Sequence, residues 1–431
     1  MANQSLFESL NIFFYNVVNK TVYKSKCYCY FDHNIPRKVF CPSVSSKDLN
    51  KANNLSFGAS VSSGILLSSG QNWKQQRRFS MATLKTLGMG KSTLEYQIQE
   101  EAQNLVEVFR KTEGKPMNPS FALNLAVSNV ICALVFGHRF STEDETFHLL
   151  LEVMLLLFHQ LYNISPWIMQ RVPGPHQKAF SSCDFIQSFI REEIKKHQEA
   201  KHQEKDQDFI HFYLAEIEKS PYDEKNMVQS IFDLFLGGTE TAGTTLYWGL
   251  LYMVLYPDIQ AKVQQEIDTL LTPGQSVCYE DRKKLPYTNA VVHEIQRFSN
   301  IISIGMPRYC LRDTKIRKFV IRKGTTIFPN MASALYDSNE WETPLTFNPN
   351  HFLDEDGNFT CRDAFIPFSL GARSALCLGE NLAKTELFLF FSNLMQTFNF
   401  HLGDGSKDIK LDPIWGGTLK PHSFDICAIP R

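Results

Sequence analysis

The sequence predicts a mainly α-helical protein with a small β portion in the last third of the chain. Helical spacing of apolar residues recurs between residues 56 and 299, and strand-like alternation begins only after residue 300. A composition of 43% hydrophobic and 21% charged residues is typical of a folded globular chain. With 431 residues, the chain is long enough to bury a sizeable core.

Four segments in the first half of the chain carry apolar residues at three- and four-residue spacing, which predicts a helix in each. These segments are 73–79, 92–110, 122–136 and 180–200. Between residues 191 and 208, eleven of eighteen side chains are charged, with both signs mixed. This charged run predicts a solvated helix end and loop rather than a binding surface.

The longest helix candidate runs from residue 226 to residue 256 and stops before Pro257. An α-helix of this length reaches about 45 Å, so it is expected to cross the whole domain. Pro257 and Pro286 each suit the first turn of a further helix.

The chain changes character after residue 300. Residues 319–328 have strand-forming side chains on either side of Lys323 and Gly324, which predicts a β-hairpin that turns there. A final long helix is predicted from just after Cys377 to residue 398.

Composition excludes several classes of protein. The 44 basic residues balance 45 acidic ones, which argues against a nucleic-acid partner. The 10 irregularly spaced cysteines do not form a disulfide scaffold. No stretch approaches the roughly 20 apolar residues of a membrane span, and no signal peptide is recognisable. Residues 1–55, rich in Asn, Ser, Lys and Tyr, are predicted to be an atypical N-terminal segment without a membrane anchor.

A cysteine stands in a glycine-containing loop directly before the last predicted helix. Helix N-termini lower the pKa of a thiol, so Cys377 is expected to favour the thiolate form. Gly371 and Gly379 leave room for a flat group to approach the backbone closely. A thiolate there suits haem iron, and a buried structural cysteine is the alternative.

Two adjacent glycines, Gly237 and Gly238, interrupt the middle of the longest helix. Each glycine costs about 1 kcal/mol relative to alanine in a helix interior, so a compensating gain is expected. One explanation is a notch beside Glu240 and Thr241, an acid and an alcohol that can deliver protons to a ligand. The other is a close crossing with a second helix through small residues.

Two further pairs each occupy one helix face. Glu294 and Arg297 form either an ordinary surface ion pair or, if buried together with segment 346–352, an internal one. Trp73 and Arg77 can both bind an anionic group such as a propionate.

In this order and at these separations, the four motifs resemble those of the cytochrome P-450 family of haem-thiolate mono-oxygenases. The resemblance covers residues 56–431 and includes the Trp-x-x-x-Arg, Gly-Gly-x-Glu-Thr, Glu-x-x-Arg and Phe-x-Pro-x-x-Phe patterns. Segments 173–177, 341–344 and 348–354 are similar to the microsomal vertebrate branch that oxidises drugs and fatty acids. The resemblance implies the cytochrome P-450 fold, with the long central helix over the haem and a catalytic domain over residues 56–431.

The resemblance also implies roles for individual residues. Cys377 would be the axial thiolate ligand of haem b (heme). Glu240 and Thr241 would relay protons to dioxygen. The residues that would pair with the haem propionates are Trp73, Arg77, Arg308 and Arg373.

A second group of residues is implied to be structural. Glu294 and Arg297 would lock the fold on the cysteine side of the haem. His351 would join them at a position where many relatives carry arginine.

The family reaction inserts one oxygen atom of O2 into an apolar small molecule, such as a xenobiotic or a polyunsaturated fatty acid. Its electrons come from NADPH through a flavoprotein reductase, with cytochrome b5 as a further possible partner. The resemblance implies the cytoplasmic face of the endoplasmic reticulum membrane, although this sequence shows no anchor. Pocket walls are expected from loops near residues 60–67, 301–304 and 416–419.

The cysteine loop departs from the family pattern. The stretch from Gly371 to Cys377 is two residues longer than in the family, and the surplus lies within 374–376. A bulge is expected, because the helix that follows Cys377 is intact. A catalytically impaired haem-binding remnant is the main alternative. A haem-thiolate isomerase or peroxygenase that needs no reductase is another.

Overall fold

A computed structural model describes much of the chain. The described residues are 27–29, 63–66, 68, 70–141, 144, 147, 175–199, 208–217, 223–272, 275–306, 308–309, 313–316, 319–323, 326–369, 377–403 and 409–431. The α-helices within these ranges are α1 (Gly70–Thr86), α2 (Ser92–Arg110), α3 (Ser120–Phe136), α4 (Pro175–Glu199), α5 (Phe209–Ile217), α6 (Glu224–Leu255), α7 (Pro257–Leu270), α8 (Pro286–Ser299), α9 (Met331–Leu335) and α10 (Glu380–Thr397).

The strands are short and form three small sheets. They are β1 (Cys27–Cys29), β2 (Arg308–Tyr309), β3 (Thr314–Ile316), β4 (Phe319–Ile321), β5 (Thr326–Phe328), β6 (Phe398–Leu402) and β7 (Ile426–Pro430). Their order is β1-β5-β2 in one sheet, with β3-β4 and β6-β7 as two separate pairs. The predicted mainly α fold with a small β portion is therefore confirmed.

The first sheet draws its strands from distant parts of the chain. Cys27–Cys29 runs parallel to β5, with Tyr28 opposite Ile327. Strand β2 lies antiparallel on the other side of β5, with Arg308 also opposite Ile327. A strand from within the first 55 residues thus completes this sheet.

The predicted hairpin over residues 319–328 is wrong. Strand β4 pairs antiparallel with β3, which precedes it, and β5 pairs with β1 and β2 instead. Only residues 317–318 separate β3 from β4, and two residues are the commonest length of a hairpin connection. The Lys323 N–H donates to Asp313 Oδ1 at 2.7 Å, which holds the end of β4 beside the start of β3.

The core is organised around the crossing of α3 and α6. Helix α3 is buried along most of its length, and α6 makes its most extensive contact with it. Asp223 caps α6 by accepting the Asn226 N–H at 2.6 Å. A side chain on Gly238 would place its Cβ 3.0 Å from Ile131 Cγ1 of α3. The absence of that side chain therefore permits the close helix crossing.

Helix α10 connects the cysteine loop to this core. It packs against α2 and against α6, and its side chains from Leu387 to Met395 are buried. Because α10 begins at Glu380, three positions after Cys377, the packing of α10 on α6 fixes where the cysteine lies relative to the Gly-Gly motif.

Candidate active site

Cys377 lies at the end of the cysteine loop, two residues before the N-cap of α10. Its backbone N–H donates to Phe368 O at 3.3 Å. The two ends of the lengthened stretch are therefore joined by a hydrogen bond. Residues 370–376, including Arg373 and the surplus residues, lie outside the described residues.

Cys377 is accessible to solvent. Its side chain is exposed, although protein atoms around it partly desolvate its thiol. A Cβ built on the neighbouring Gly379 would contact nothing within 4 Å, so open space adjoins the cysteine.

The expected stabilisation of the thiolate by the helix N-terminus is outweighed. Burial raises the pKa of the Cys377 thiol, and the Gly379 N–H and the Arg77 guanidinium only partly oppose that effect, while Glu380 adds to it. The thiol therefore carries its proton at neutral pH until a metal ion replaces that proton.

Trp73 and Arg77 share one face of α1, as their spacing predicts. The guanidinium carbon of Arg77 lies 6.0 Å from the centroid of the Trp73 ring. Burial lowers the pKa of Arg77, and charge interaction with Cys377 opposes that shift. The structure thus brings Arg77 within electrostatic range of the cysteine.

The two glycines of α6 do different things. Gly238 faces Ile131 and permits the helix crossing described above, whereas a Cβ on Gly237 would contact nothing within 4 Å. Gly237 is exposed in a helix that is otherwise mostly buried. Thr241 donates its hydroxyl to Gly237 O at 2.8 Å. The close helix crossing is therefore confirmed for Gly238, and open space lies beside Gly237.

Glu240 is held by two residues of the C-terminal region. Its Oε1 accepts the Thr418 hydroxyl at 2.9 Å and lies 2.6 Å from Lys420 Nζ. The Glu240 side chain is 7% exposed and that of Lys420 is 26% exposed, so this ion pair lies largely away from solvent. Thr418 lies in the segment 416–419 that was expected to form a pocket wall, whereas Lys420 was not predicted as a site residue.

The segment around Thr418 and Lys420 is fastened to α6 at further points. Trp248 Nε1 donates to Leu419 O at 2.8 Å, and Ile414 and Lys420 exchange backbone hydrogen bonds of 2.7 and 3.1 Å. The Leu419 N–H donates to Ile301 O at 2.8 Å. Two of the three loops expected to form pocket walls are thus in direct contact.

The third expected wall also meets α6. Asp233 accepts the Ile65 N–H at 2.6 Å and the Leu66 N–H at 2.9 Å, and Asn226 Oδ1 accepts the Gly64 N–H at 3.1 Å. Burial raises the pKa of Asp233 to about 6, although these hydrogen bonds favour its ionised form. Residues 63–66 are therefore attached to the same helix as Glu240.

Glu294 and Arg297 form a buried pair rather than a surface one. Both side chains are 0% exposed, and Arg297 donates Nε–H and Nη2–H to the two oxygens of Glu294 at 2.7 Å. The other three N–H groups of Arg297 reach backbone carbonyl oxygens. The acceptors are Leu335 O at 2.8 Å, Pro344 O at 2.9 Å and Thr346 O at 3.2 Å.

His351 completes this network from the segment 346–352. Its Nε2 accepts the Thr343 N–H at 3.2 Å, so its Nδ1 carries the proton. Nδ1 lies 3.3 Å from each Glu294 oxygen, and the Asn348 N–H donates to Glu294 Oε1 at 2.8 Å. The structure therefore brings Glu294, Arg297 and His351 together.

Arg308, another of the predicted site residues, lies in strand β2.

Comparison with known proteins agrees with this arrangement. The sequence model of the cytochrome P450 family matches residues 1–428. The chain belongs to the cytochrome P450 family, whose members bind haem b through a cysteine thiolate, and it is a mono-oxygenase.

Several curated relatives are similar over most of the chain. Cytochrome P450 2J2 of Homo sapiens is 46% identical over 381 residues, which cover 85% of this chain and 75% of the relative. Cytochrome P450 2J5 of Mus musculus is 45% identical over 380 residues, with the same two shares of coverage. Cytochrome P450 2C8 of Homo sapiens is 42% identical over 385 residues, which cover 85% of this chain and 77% of the relative. All three belong to the vertebrate branch predicted from the motifs.

The described residues fit a haem group. Cys377 offers an accessible sulfur atom, Gly379 leaves open space nearby, and Arg77 lies in its electrostatic range. On α6, the missing side chain of Gly237 leaves open space near Glu240 and Thr241. Within the described ranges, no helix combines the length and apolar composition that a bilayer span requires.

Proposed function

We propose that this enzyme inserts one oxygen atom of O2 into apolar small molecules such as xenobiotics and polyunsaturated fatty acids. Electrons come from NADPH through a flavoprotein reductase, with cytochrome b5 as a second donor, at the cytoplasmic face of the endoplasmic reticulum. The observation that carries the proposal is the pair Glu240 and Thr241 beside the open turn at Gly237. A protein that only carried haem would have no use for an acid and an alcohol there.

The cofactor is held by residues from three parts of the chain. Cys377 would hold the haem iron through its sulfur atom, which would have to give up its proton to do so. Bound haem supplies the iron centre at which oxygen is activated. The residues that pair with the propionates in this proposal are Trp73, Arg77, Arg308 and Arg373.

Glu240 and Thr241 move protons on the α6 side of the cavity. The Thr241 hydroxyl uses its proton in a bond to Gly237 O, so its oxygen remains able to accept a hydrogen bond. Glu240 forms an ion pair with Lys420 and is held in place by Thr418. This contact limits how far the acid moves, and protons therefore pass through a group of fixed position.

Glu294, Arg297 and His351 serve a structural role in this proposal. Arg297 uses all five of its N–H groups, and Glu294 accepts from three different residues. A buried ion pair with no unsatisfied partner fixes the loop from 343 to 348 against α8. That loop and α8 form the support on which the cysteine side of the haem cavity rests.

The second candidate function is a haem-binding remnant with impaired catalysis. The two surplus residues in the cysteine loop favour it, because they lengthen the approach to Cys377. The hydrogen bond from the Cys377 N–H to Phe368 O favours the active enzyme, since it holds both ends of the lengthened stretch together.

The test is reconstitution of the haem-loaded protein with reductase and NADPH and a panel of apolar substrates. We expect a thiolate-type Soret band in the reduced CO complex and NADPH-dependent turnover, both abolished by Cys377→Ala. Cys361→Ala removes an exposed cysteine outside the loop and serves as the matched control. A thiolate-type band without turnover would establish the remnant, and turnover with a hydroperoxide but not with NADPH would establish a peroxygenase.

A further inference from the structure

A cluster of histidine and carboxylate side chains lies where α4 ends and α5 begins. His197 Nε2 and His211 Nδ1 lie 2.9 and 3.0 Å from the same oxygen, Oδ2 of Asp208. These three ligand atoms all lie within 4.8 Å of one another. His197 is 6% exposed and Asp208 is 2% exposed, so the charged run from residue 191 to residue 208 is not uniformly solvated, contrary to the prediction.

Asp208 is fixed in place by the backbone on two sides. Its Oδ1 accepts the His211 N–H at 2.9 Å and thereby caps α5. On the other side lies Gly137, which ends α3 with a φ of +73°. A Cβ on Gly137 would lie 2.7 Å from Asp208 Oδ2, so only glycine allows the carboxylate to occupy this position.

The contacts of His197 leave its Nε2 facing an acceptor. Its Nδ1 lies 2.7 Å from Glu193 O, a carbonyl oxygen that can only accept, so Nδ1 carries a proton. Nε2 lies 2.9 Å from Asp208 Oδ2. A lone pair opposite a carboxylate oxygen is unfavourable unless a second proton or a metal cation lies between them.

We propose that His197 Nε2, Asp208 Oδ2 and His211 Nδ1 bind a zinc ion. Two imidazoles and a carboxylate suit zinc, whereas calcium and magnesium prefer oxygen ligands alone. The bond from Nδ1–H to Glu193 O is the arrangement that orients metal-binding histidines. Zinc takes the place of the proton between His197 and Asp208, which passes to solvent, and the proton between His211 Nδ1 and Asp208 moves to Nε2 of the same ring.

Among the described residues, the nearest other carboxylate on α4 already has partners of its own. Glu193, the next carboxylate along α4, is occupied by His138 at 2.9 Å and by Lys196 at 2.7 Å. The ion would join the end of α4 to the start of α5. This site is separate from Cys377 and Glu240, so its test does not depend on oxygenase activity.

The experiment uses the haem-loaded protein, treated with a chelator, dialysed against zinc chloride and examined for bound zinc by elemental analysis. We expect the wild-type chain to retain one zinc ion and His211→Asn to lose it, because the imidazole is gone while the backbone N–H of residue 211 still donates to Asp208 Oδ1. The haem spectrum and melting temperature of each variant verify that it is folded.

His422→Asn is the matched control, because His422 is a partly exposed histidine 3.4 Å from Asp412. We expect it to retain zinc like the wild type. Zinc-edge X-ray absorption then identifies the ligands, and a shell of imidazole nitrogen and oxygen is expected. The proposal is overturned if the wild type retains no zinc, if His211→Asn retains as much, or if sulfur appears in the shell.

Discussion

The ammonium of Lys420 lies 2.6 Å from Oε1 of Glu240 and places a cation against the acid of the proposed proton-relay pair. The two residues are far apart in the sequence, one in α6 near the middle of the chain and one shortly before the last strand. The Thr418 hydroxyl reaches the same oxygen. The position of Glu240 is thus determined by the C-terminal segment and not by α6 alone.

Replacement of Lys420 by methionine tests this relationship. Lys420→Met removes a charged hydrogen bond, so we expect a loss of about 2 kcal/mol in the free energy of unfolding. We also expect a smaller share of the NADPH electrons to appear in product and a larger share in hydrogen peroxide. Lys410→Met, at an exposed position, is the control. Unchanged coupling in Lys420→Met would contradict the assigned role.

The two glycines of α6 give opposite predictions. Gly237→Ala adds a methyl group in open space and improves helix propensity, so stability should rise by about 1 kcal/mol. The same methyl group occupies the opening beside Thr241, so turnover should fall. Gly238→Ala brings a Cβ to 3.0 Å from Ile131 Cγ1 and should destabilise by about 1–3 kcal/mol. The melting temperature and turnover of both variants, measured side by side, check this contrast. Equal stability of Gly237→Ala and Gly238→Ala would refute it.

The buried pair of Glu294 and Arg297 predicts a large effect of a small change. Glu294→Gln leaves a buried guanidinium without its counter-charge, and we expect a cost of about 3–5 kcal/mol. The yield of haem-loaded protein and its denaturation midpoint measure this loss. Glu280→Gln breaks an exposed ion pair with Lys283 and should leave both quantities unchanged. Similar losses of yield and stability in the two variants would mean that the burial of Glu294 does not increase its contribution to stability.

The raised pKa of Asp233 predicts a dependence of stability on pH. Its folded value of about 6 lies above the ordinary value of 3.8, so the folded chain binds this proton more tightly than the unfolded chain. The contribution of Asp233 to stability therefore falls by about 1.4 kcal/mol per pH unit as pH rises from about 4 to 6. Above pH 6 the full cost of the buried carboxylate is present.

Asp233→Asn removes that titration and supplies the comparison. The wild type should gain stability relative to the variant as pH is lowered from 7 to 5, measured by denaturant unfolding at each pH. A difference between the two proteins that stays constant over this range would show that Asp233 titrates normally.

Helices were predictable from the sequence because their signals are local. The proline at the start of α7 and of α8, and the spacing of apolar residues in α2, set bounds that the structure reproduces. The hairpin at residues 319–328 was predicted wrongly because Lys323 and Gly324 form a stronger local turn signal than residues 317–318. Strand pairing depends on partners elsewhere in the chain, which local turn signals do not identify.

The site residues divide in the same way. Glu240, Thr241 and Cys377 stand in local patterns and could be singled out, whereas Lys420 and Thr418 carry no pattern that points to Glu240. The pKa of Cys377 was predicted in the wrong direction, because desolvation by tertiary packing exceeds the effect of the helix N-terminus. The buried His197 was hidden in a run whose average composition is polar.

The hydrogen bond between the Cys377 N–H and Phe368 O has a consequence for how such a loop changes during evolution. A loop whose two ends are tied to each other can gain or lose residues without shifting the chain on either side. Insertions there are expected to leave the position of the Cys377 sulfur unchanged. The segment from 369 to 376 is therefore expected to tolerate differences in length and sequence between related haem enzymes.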